Sequence, residues 1–391
     1  MAMRVFIINT DYPVFLRRFY ADHPHLDSAS YAEQMAARNE SLFGVFDAYS
    51  LGFRHCGHEA IEVHANNGTM QTAWMKENGY APPRLATRSK PSLWARAARR
   101  LLPTATTRQL IDSSFTLRPA TPVEGWSLAE MLLEQVKLFR PDIVLNQSVS
   151  EVGSDLLMKM KPHAGKFVGQ IASPLPDNEG YAAYDMMISS LPNFVDFYRR
   201  KGIPAHLNRL GFDPRVLHTI GRVERNIDVS FVGSVSEAHA DRTTLLEYLT
   251  RNTDIAIWGG GRDQLSNASP ILPRHKGEAW GAEMFHILGS SKITVNNHIG
   301  IAENFANNMR LYEATGMGAL LVTDRKSNIA EIFEPGREVV CYDSAEECAE
   351  LIRFYQKNDH ERERIAQAGQ RRTLQDHNYN IRTQELSKLF A

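Results

Sequence analysis

Short apolar runs that end in polar residues alternate with amphipathic, helix-like segments through most of this 391-residue chain. Arg4–Asn9 is a β-rich run of this kind, and residues 141–146 follow a helical pattern through an Arg-Pro-Asp junction. Alternating strand and helix patterns predict parallel sheets that are covered by helices on both faces. We therefore expect an α/β chain, and its length suits two doubly wound domains.

The alternation forms two series with a loop-like segment between them. Residues 1–205 predict an N-terminal Rossmann-like domain, in which residues 66–122 have a weaker pattern and are expected to be an insertion. Residues 206–375 predict a C-terminal Rossmann-like domain, and the loop-like segment at 210–226 opens it. In such open sheets, ligands bind beyond the carboxyl ends of the strands.

The composition excludes several classes of protein. Lys and Arg number 44 against 45 Asp and Glu, so a general affinity for nucleic acid is not expected. Cys56, Cys341 and Cys348 form no Cys-x-x-Cys pair, which indicates reduced thiols in a cytoplasmic protein. The first residues read as a buried strand instead of a signal peptide, and no apolar stretch reaches membrane-spanning length. Neither a P-loop nor a dinucleotide-binding glycine motif occurs.

Several residues that directly follow predicted strands of the second domain could meet a phosphate. Glycine at such a turn lets the backbone approach the ligand closely, although most glycine pairs after a strand only make a tight turn. Scattered histidines are more often core or surface residues than ligands. The post-strand candidates are Gly233, Ser234, Gly259, Gly260, Asn296 and His298.

The segment that begins at Asn308 carries a more specific pattern. Asn308 can cap a helix, Arg310 then lies in its first turn, and Glu313 lies one turn further on the same face. An arginine at a helix start does not suit the helix dipole, so an anion such as a diphosphate would explain it. Glu313 could accept hydrogen bonds from ribose hydroxyls. A simple ion pair between Arg310 and Glu313 explains the pattern equally well.

Six segments of the second half follow one another in an order typical of one protein family. They are FVGS with Arg242 downstream, IAIWGGG, SSKITVNNH, NNMRLYEATGMGALLVTD, IFEPGREVVCYDSAEECAELIRFY and RIAQAGQRRTLQDHNYNIR. On these segments, residues 231–382 resemble the C-terminal domain of CgeB-like, family-1-type glycosyltransferases. The resemblance implies a GT-B fold, in which two Rossmann-like domains face each other across a cleft. It also implies that residues 376–391 form a helix that returns to the N-terminal domain.

The resemblance further implies roles for residues of the second domain. Glu313 would bind the ribose, while Arg310 and the Asn308 helix end would face the diphosphate of a UDP-, GDP- or dTDP-sugar. The turn at Gly233 would face the same diphosphate, and the loop after Gly259 would border the base. Many retaining enzymes have two glutamates at a fixed spacing in this segment. That pattern is absent here, because Phe305 stands where the first of the two glutamates would be. This departure leaves the stereochemical outcome open.

The expected function is hexosyl transfer from a nucleotide-sugar to a hydroxyl of a glycan, lipid-linked or small-molecule acceptor, in polysaccharide or glycoconjugate biosynthesis. No Asp-x-Asp motif occurs, so we expect a metal-independent reaction with no further cofactor, the donor being a substrate. Two alternatives stay open. One is a nucleotide-sugar epimerase or hydrolase of the same fold, and the other is a non-catalytic GT-B-like binding subunit.

The acceptor side is less well specified. Asp11 follows the first predicted strand and is the first candidate for a general base, with His23 as the second. An equally good interpretation is that Asp11 caps the next helix. Residues 90–102 have the pattern of a basic amphipathic helix, which suggests peripheral contact with the inner face of a membrane, although a helix packed on the first domain is the simpler reading.

Overall fold

The computed structural model describes residues 2–81, 117–175, 181–235 and 240–391. The predicted basic helix at 90–102 lies outside these residues, as does most of the expected insertion at 66–122. Within the described ranges, no helix is long and apolar enough to cross a membrane. Two sheets organise the described part of the chain, and each is covered by helices.

The first sheet is doubly wound around its first strand. Its six strands have the order β2-β1-β3-β4-β5-β6, and β1 lies parallel to both β2 and β3, with Val5 opposite Ile143. Val5, Phe6, Ile7 and Ile8 have no solvent exposure, which explains the apolar run. The strands are β1 (Arg4–Asn9), β2 (Glu59–His64), β3 (Ile143–Asn146), β4 (Lys166–Gln170), β5 (Met186–Ser189) and β6 (Ala205–Leu207).

Two helices of the first half begin at side-chain caps. Ser127 and Glu130 form a capping box at the start of α5, and Asn67 accepts a hydrogen bond from the backbone N–H of Met70 at the start of α4. The helices are α1 (Pro13–Asp22), α2 (Tyr31–Glu40), α3 (Ala48–His55), α4 (Gly68–Glu77), α5 (Leu128–Phe139), α6 (Ser154–Met160) and α7 (Pro192–Arg200).

The second sheet is also parallel, with the order β11-β10-β9-β7-β8. Its strands are β7 (Ile227–Val232), β8 (Ala256–Trp258), β9 (Ser291–Asn296), β10 (Leu320–Asp324) and β11 (Val340–Tyr342). Buried aliphatic and aromatic side chains form a core on each face of this sheet. Its helices are α8 (Arg215–Ile220), α9 (Ala240–Asn252), α10 (Gly281–Ser290), α11 (Met309–Gly316), α12 (Ile329–Ile332), α13 (Ala345–Lys357), α14 (Asp359–Asp376) and α15 (Tyr379–Phe390).

The last helix, α15, packs against α3. The rings of Phe53 and Phe390 lie 5.9 Å apart, and those of Tyr49 and Tyr379 lie 5.4 Å apart. Gly52 allows this approach, because a Cβ atom there would lie 2.3 Å from the hydroxyl of Thr383. The C-terminal helix is thus held by a segment from the first sixth of the chain.

The chain divides into two compact units. The first contains Met1–Arg38 and His58–Met187, and the second contains Asn39–Gly57 and Ile188–Ala391. The boundary between them falls within β5, and α3 lies in the second unit together with α15. The predicted α/β class with two doubly wound parallel sheets is confirmed. The segment at 210–226 was expected to be a loop, but it contains the short helix α8.

Candidate functional site

The glycine turns that follow β7 and β8 are bonded to each other. Gly233 donates its N–H to the carbonyl of Trp258 over 2.8 Å, and Val235 donates to Gly260 over 2.9 Å. Gly259 has a φ of +144°, and a Cβ atom there would lie 2.0 Å from the carbonyl oxygen of Gly233. Glycine is therefore required at position 259 for the close approach of the two turns.

A cavity of about 510 Å³ opens beside these turns, and Gly259 and Gly260 form part of its wall. This volume suits a small-molecule ligand. His275 lines the cavity, and its Nδ1 accepts a hydrogen bond from the N–H of Gly277 over 3.2 Å. Its Nε2 therefore carries the proton and donates to the carbonyl of Gly259 over 2.7 Å.

The Arg310–Glu313 pair lies at the start of α11, and it is buried. Arg310 donates from Nη1 to Oε2 of Glu313 over 2.7 Å and from Nε to the carbonyl of Val232 over 3.1 Å. Glu313 is 5% exposed, and its burial raises the pKa of the carboxyl group even though Arg310 opposes the shift. The pair is therefore more than a solvated surface contact, and it ties α11 to the carboxyl end of β7.

Asn308 caps α11 as the sequence predicts. Its Oδ1 accepts from the backbone N–H of Leu311 over 3.2 Å, and its Nδ2 donates to Oδ1 of Asn296 over 2.8 Å. Asn296 in turn donates from Nδ2 to the hydroxyl of Thr323 over 3.0 Å. The two asparagines thus fix the start of α11 against the ends of β9 and β10.

Arg242 spans the loops that follow β7 and β9. Its Nη1 donates to the carbonyl of Ser234 over 3.0 Å, and its Nη2 donates to the carbonyl of Asn297 over 2.9 Å. Its buried Nε finds no partner in the described part of the chain. Burial lowers the pKa of Arg242 to about 10. The carbonyl contacts do not neutralise the guanidinium charge, so this charge is available to a bound anion.

His298 is paired with Asp324, a residue that the sequence analysis did not select. The imidazole Nδ1 lies 2.6 Å from Oδ1 of Asp324, and Lys326 lies 3.3 Å from the other carboxylate oxygen. Burial opposes ionisation of Asp324, but the hydrogen bond and charge of His298 lower its pKa. Asp324 ends β10, so the rule that selected His298 after β9 could also have selected Asp324.

The ten candidates of the second domain therefore lie around the carboxyl ends of neighbouring strands, and their roles stay a prediction.

The two candidates for a general base have different surroundings. The carboxylate of Asp11 is enclosed in the first unit, 2.5 Å from Nη2 of Arg38 and 3.0 Å from Nδ1 of His64. Burial opposes ionisation, but Arg38 and His64 hold the pKa of Asp11 well below its usual range.

A buried carboxylate of this kind is a poor proton acceptor, and with 2% exposure Asp11 does not offer an open face to a ligand. The expectation that its side chain faces a cleft is therefore corrected.

His23 follows the last residue of α1, a ten-residue helix that spans about 15 Å from the end of β1. Its Nδ1 lies 2.9 Å from the carbonyl of Phe19.

Glu151 is a carboxylate at the carboxyl ends of β1 and β3 that the sequence analysis missed. Thr10 donates to Oε1 of Glu151 over 3.2 Å, and the hydroxyls of Thr10 and Ser148 lie 3.0 Å apart. Glu151 is half-buried, and burial raises the pKa of its carboxyl group. Because Glu151 closely follows the predicted strand at 141–146, its position after a strand was a usable signal.

Among the described residues, no group of three or more His, Cys, Asp or Glu side chains could hold a metal ion.

The chain resembles known proteins in sequence and in structure. Residues 242–388 match the family model described as glycosyl transferase-like. No curated protein sequence matches the chain.

Solved structures resemble the chain over nearly its full length. HepE of Anabaena in complex with UDP-glucose has a TM-score of 0.58 at 12% identity and covers 99% of both chains. A glycosyltransferase from Rickettsia africae has a TM-score of 0.57 at 11% identity, with coverage of 100% of this chain and 98% of that one. Sucrose-phosphate synthase from Thermosynechococcus elongatus has a TM-score of 0.56 at 10% identity, with the same coverage.

These likenesses establish that the chain has the GT-B fold. The expected resemblance to family-1-type glycosyltransferases is confirmed, because a glycosyl transferase-like region occupies residues 242–388. The narrower resemblance to CgeB-like proteins stays a prediction.

Proposed function

We propose that this protein is a glycosyltransferase that moves a hexose from a nucleotide-diphosphate sugar to a hydroxyl of an acceptor glycan or glycoconjugate. The buried Arg310–Glu313 pair at the carboxyl end of the second sheet carries this proposal. It joins a cation that suits a diphosphate to a carboxylate that suits ribose hydroxyls, at a separation of 2.7 Å.

The surroundings of this pair support a nucleotide as the ligand. Arg242 contributes a second guanidinium that is not neutralised by its carbonyl partners. The cavity of about 510 Å³ beside Gly259 has room for a base. Because HepE of Anabaena was crystallised with UDP-glucose, we select UDP-glucose as the first donor to test.

The proposed reaction needs no metal ion. In an active site without one, helix termini and basic side chains can stabilise the charge that develops on the leaving diphosphate. We expect Arg242, Arg310 and the start of α11 to do so. We expect transfer activity to persist in excess EDTA, and an absolute requirement for Mg²⁺ or Mn²⁺ would contradict this part of the proposal.

The acceptor is proposed to bind the N-terminal domain, predicted at residues 1–205, while the donor binds the domain predicted at 206–375. Glu151 is the carboxylate best placed to receive a proton from an acceptor hydroxyl, since it lies after β3, is oriented by Thr10 and is half-buried. We further propose a cytoplasmic location, because Cys56, Cys341 and Cys348 are free thiols.

A thermal-shift panel of nucleotide-sugars, followed by product analysis, tests this function. A ligand that binds only the native state raises the melting temperature, so UDP-glucose or GDP-mannose should do so. Release of the nucleoside diphosphate that depends on an added acceptor identifies a transferase. Consumption of donor alone would indicate an epimerase or hydrolase, and binding without turnover would indicate a non-catalytic subunit.

A further inference from the structure

A second cavity, of about 560 Å³, lies in the first unit beside α4. Its opposite wall consists of residues 27–30, which connect α1 to α2, and Glu124 lines a third side. The volume suits a small molecule or a short segment of a polymer. One wall is a single face of α4, formed at helical spacing by Thr69, Thr72, Ala73 and Lys76.

The cavity leads away from the carboxyl edge of the first sheet. Thr69 lies in the first turn of α4, which follows β2, and Lys76 lies about 10 Å further along the helix. The opposite wall comes after α1, whose ten residues span about 15 Å from the end of β1. The cavity is therefore separate from Glu151, which follows β3, although its near end adjoins the same edge of the sheet.

Hydroxyl and carboxylate groups form most of the cavity wall. The hydroxyl of Thr72 accepts from the backbone N–H of Glu124 over 3.4 Å, so its own proton is free to donate. Across the cavity, the exposed carboxylate of Asp27 forms no ion pair with a described residue. Sugar hydroxyls both donate and accept hydrogen bonds, and this wall offers partners of both kinds.

The charges of the wall disfavour an anion and favour a neutral ligand over a cation. The carboxylates of Asp27, Glu77 and Glu124 stand against the single ammonium group of Lys76. Lys76 pairs with Glu124 over 2.8 Å, and Glu77 accepts from the backbone N–H of Tyr31 over 2.7 Å. Asp27 is thus the carboxylate left for a ligand. One free carboxylate suits the hydroxyl donors of a sugar better than it suits a polycation.

We propose that this cavity binds a neutral, non-reacting segment of the acceptor, which is therefore an oligosaccharide or polysaccharide. The inference rests on the proposed function. No aromatic side chain of the described residues lines the cavity, so its contacts are polar and individually weak in water. A weak contact of this kind still raises the local concentration of a long acceptor near Glu151, because the second contact of a tethered ligand is intramolecular.

NMR of the full-length protein, labelled at its alanine and threonine methyl groups, tests the inference. Ala29, Ala73, Thr69 and Thr72 line the cavity and report on its occupancy. The neutral probes are maltotetraose, cellotetraose and tetra-N-acetylchitotetraose, with spermidine and tetragalacturonate as charged comparisons. We expect at least one neutral probe to shift these signals in a saturable way. Shifts with a charged probe alone, or with no probe, would overturn the inference.

Two variants measure the contribution of the wall. Asp27→Ala removes the free carboxylate and should weaken binding of the neutral probe about tenfold. Thr72→Val keeps the shape of the side chain but removes the hydroxyl, and it should weaken binding about threefold to tenfold. Asp155→Ala replaces an exposed acid of α6 and should bind the probe like the wild type. Equal affinity of all these proteins would contradict the inference.

The donor panel separates this inference from the proposed function. If a nucleotide-sugar raises the melting temperature but no neutral tetrasaccharide shifts the cavity signals, the inference alone fails. If a tetrasaccharide binds the cavity but the protein binds no nucleotide-sugar, the cavity remains a glycan site and the proposed function is contradicted.

Discussion

Asp11 and Arg38 form a buried ion pair in the first unit, with 2.5 Å between Oδ1 and Nη2. Removing one partner of such a pair leaves an uncompensated charge, so Asp11→Asn should lower the free energy of unfolding by about 3–5 kcal/mol. Urea unfolding measures this change. Asp22→Asn, which breaks an exposed pair with Arg18, is the control and should cost about 1 kcal/mol or less. A fully stable Asp11→Asn variant that has lost turnover would restore Asp11 as the general base.

Glu151→Gln tests the acceptor side. If the product linkage is inverted, a protein base must take the acceptor proton, and its loss should lower kcat by about 10²–10⁴-fold. The affinity for UDP-glucose should not change, because the proposed donor contacts lie in the second unit. Asp155→Asn, an exposed acid at the start of α6, is the matched control. Normal turnover with a retained anomeric linkage in the product would show that Glu151 is not the base.

Glu313→Gln tests the proposed ribose contact. Loss of a charged hydrogen-bond acceptor should weaken UDP binding by about 1.5–3 kcal/mol, which calorimetry would register as roughly a tenfold to hundredfold rise in Kd. Glu331→Gln removes a comparable carboxylate that pairs with Arg209, and it should bind UDP normally. Equal affinity of both variants would remove Glu313 from the site.

The buried side chain of His377 should make the folded protein less stable in mild acid. Its Nε2 donates to the carbonyl of Ile332 over 2.8 Å, its Nδ1 accepts from Arg382 over 3.0 Å, and burial lowers its pKa to about 4. The unfolded protein, with a histidine pKa of about 6.5, therefore binds a proton more readily. Stability should be full above that value and fall as pH drops from about 6.5 toward 4, by up to roughly 3 kcal/mol.

Urea unfolding of the wild type and of His377→Gln at neutral and acid pH measures this contribution. His64 is also buried with a lowered pKa, so some acid sensitivity should remain in the variant. The difference between the two proteins isolates His377. Parallel pH profiles of the two proteins would contradict the assignment.

The buried strands were the most predictable elements of this chain. β1 has the bounds that its apolar run predicts, because its four central residues are buried and leave no place for polar side chains. The helix α8 was missed, since six residues in a polar segment carry too little periodicity. The family resemblance implies that the C-terminal helix returns to the first half of the chain, but no local pattern selects α3 as the partner of α15, because that contact joins segments more than 300 residues apart.

Prediction of the candidate site from the sequence meets the same limit. The position of His298 after β9 was sufficient to select it, but its pairing with Asp324 depends on β10 lying next to β9. Asp11 satisfied the same rule, yet Arg38 approaches it from α2, 27 positions along the chain. The local sequence pattern identifies residues at the carboxyl ends of strands. Tertiary contacts decide which of these residues already have their charge neutralised by a partner.

A crystal structure of the protein with bound UDP tests the central claim most directly. The account predicts UDP at the carboxyl end of the second sheet, with the ribose hydroxyls within hydrogen-bond distance of Glu313. The diphosphate should lie against Arg310, Arg242 and His298, and the base should occupy the cavity beside Gly259. UDP bound to the first unit, or bound without contact to Glu313 and Arg310, would contradict the account.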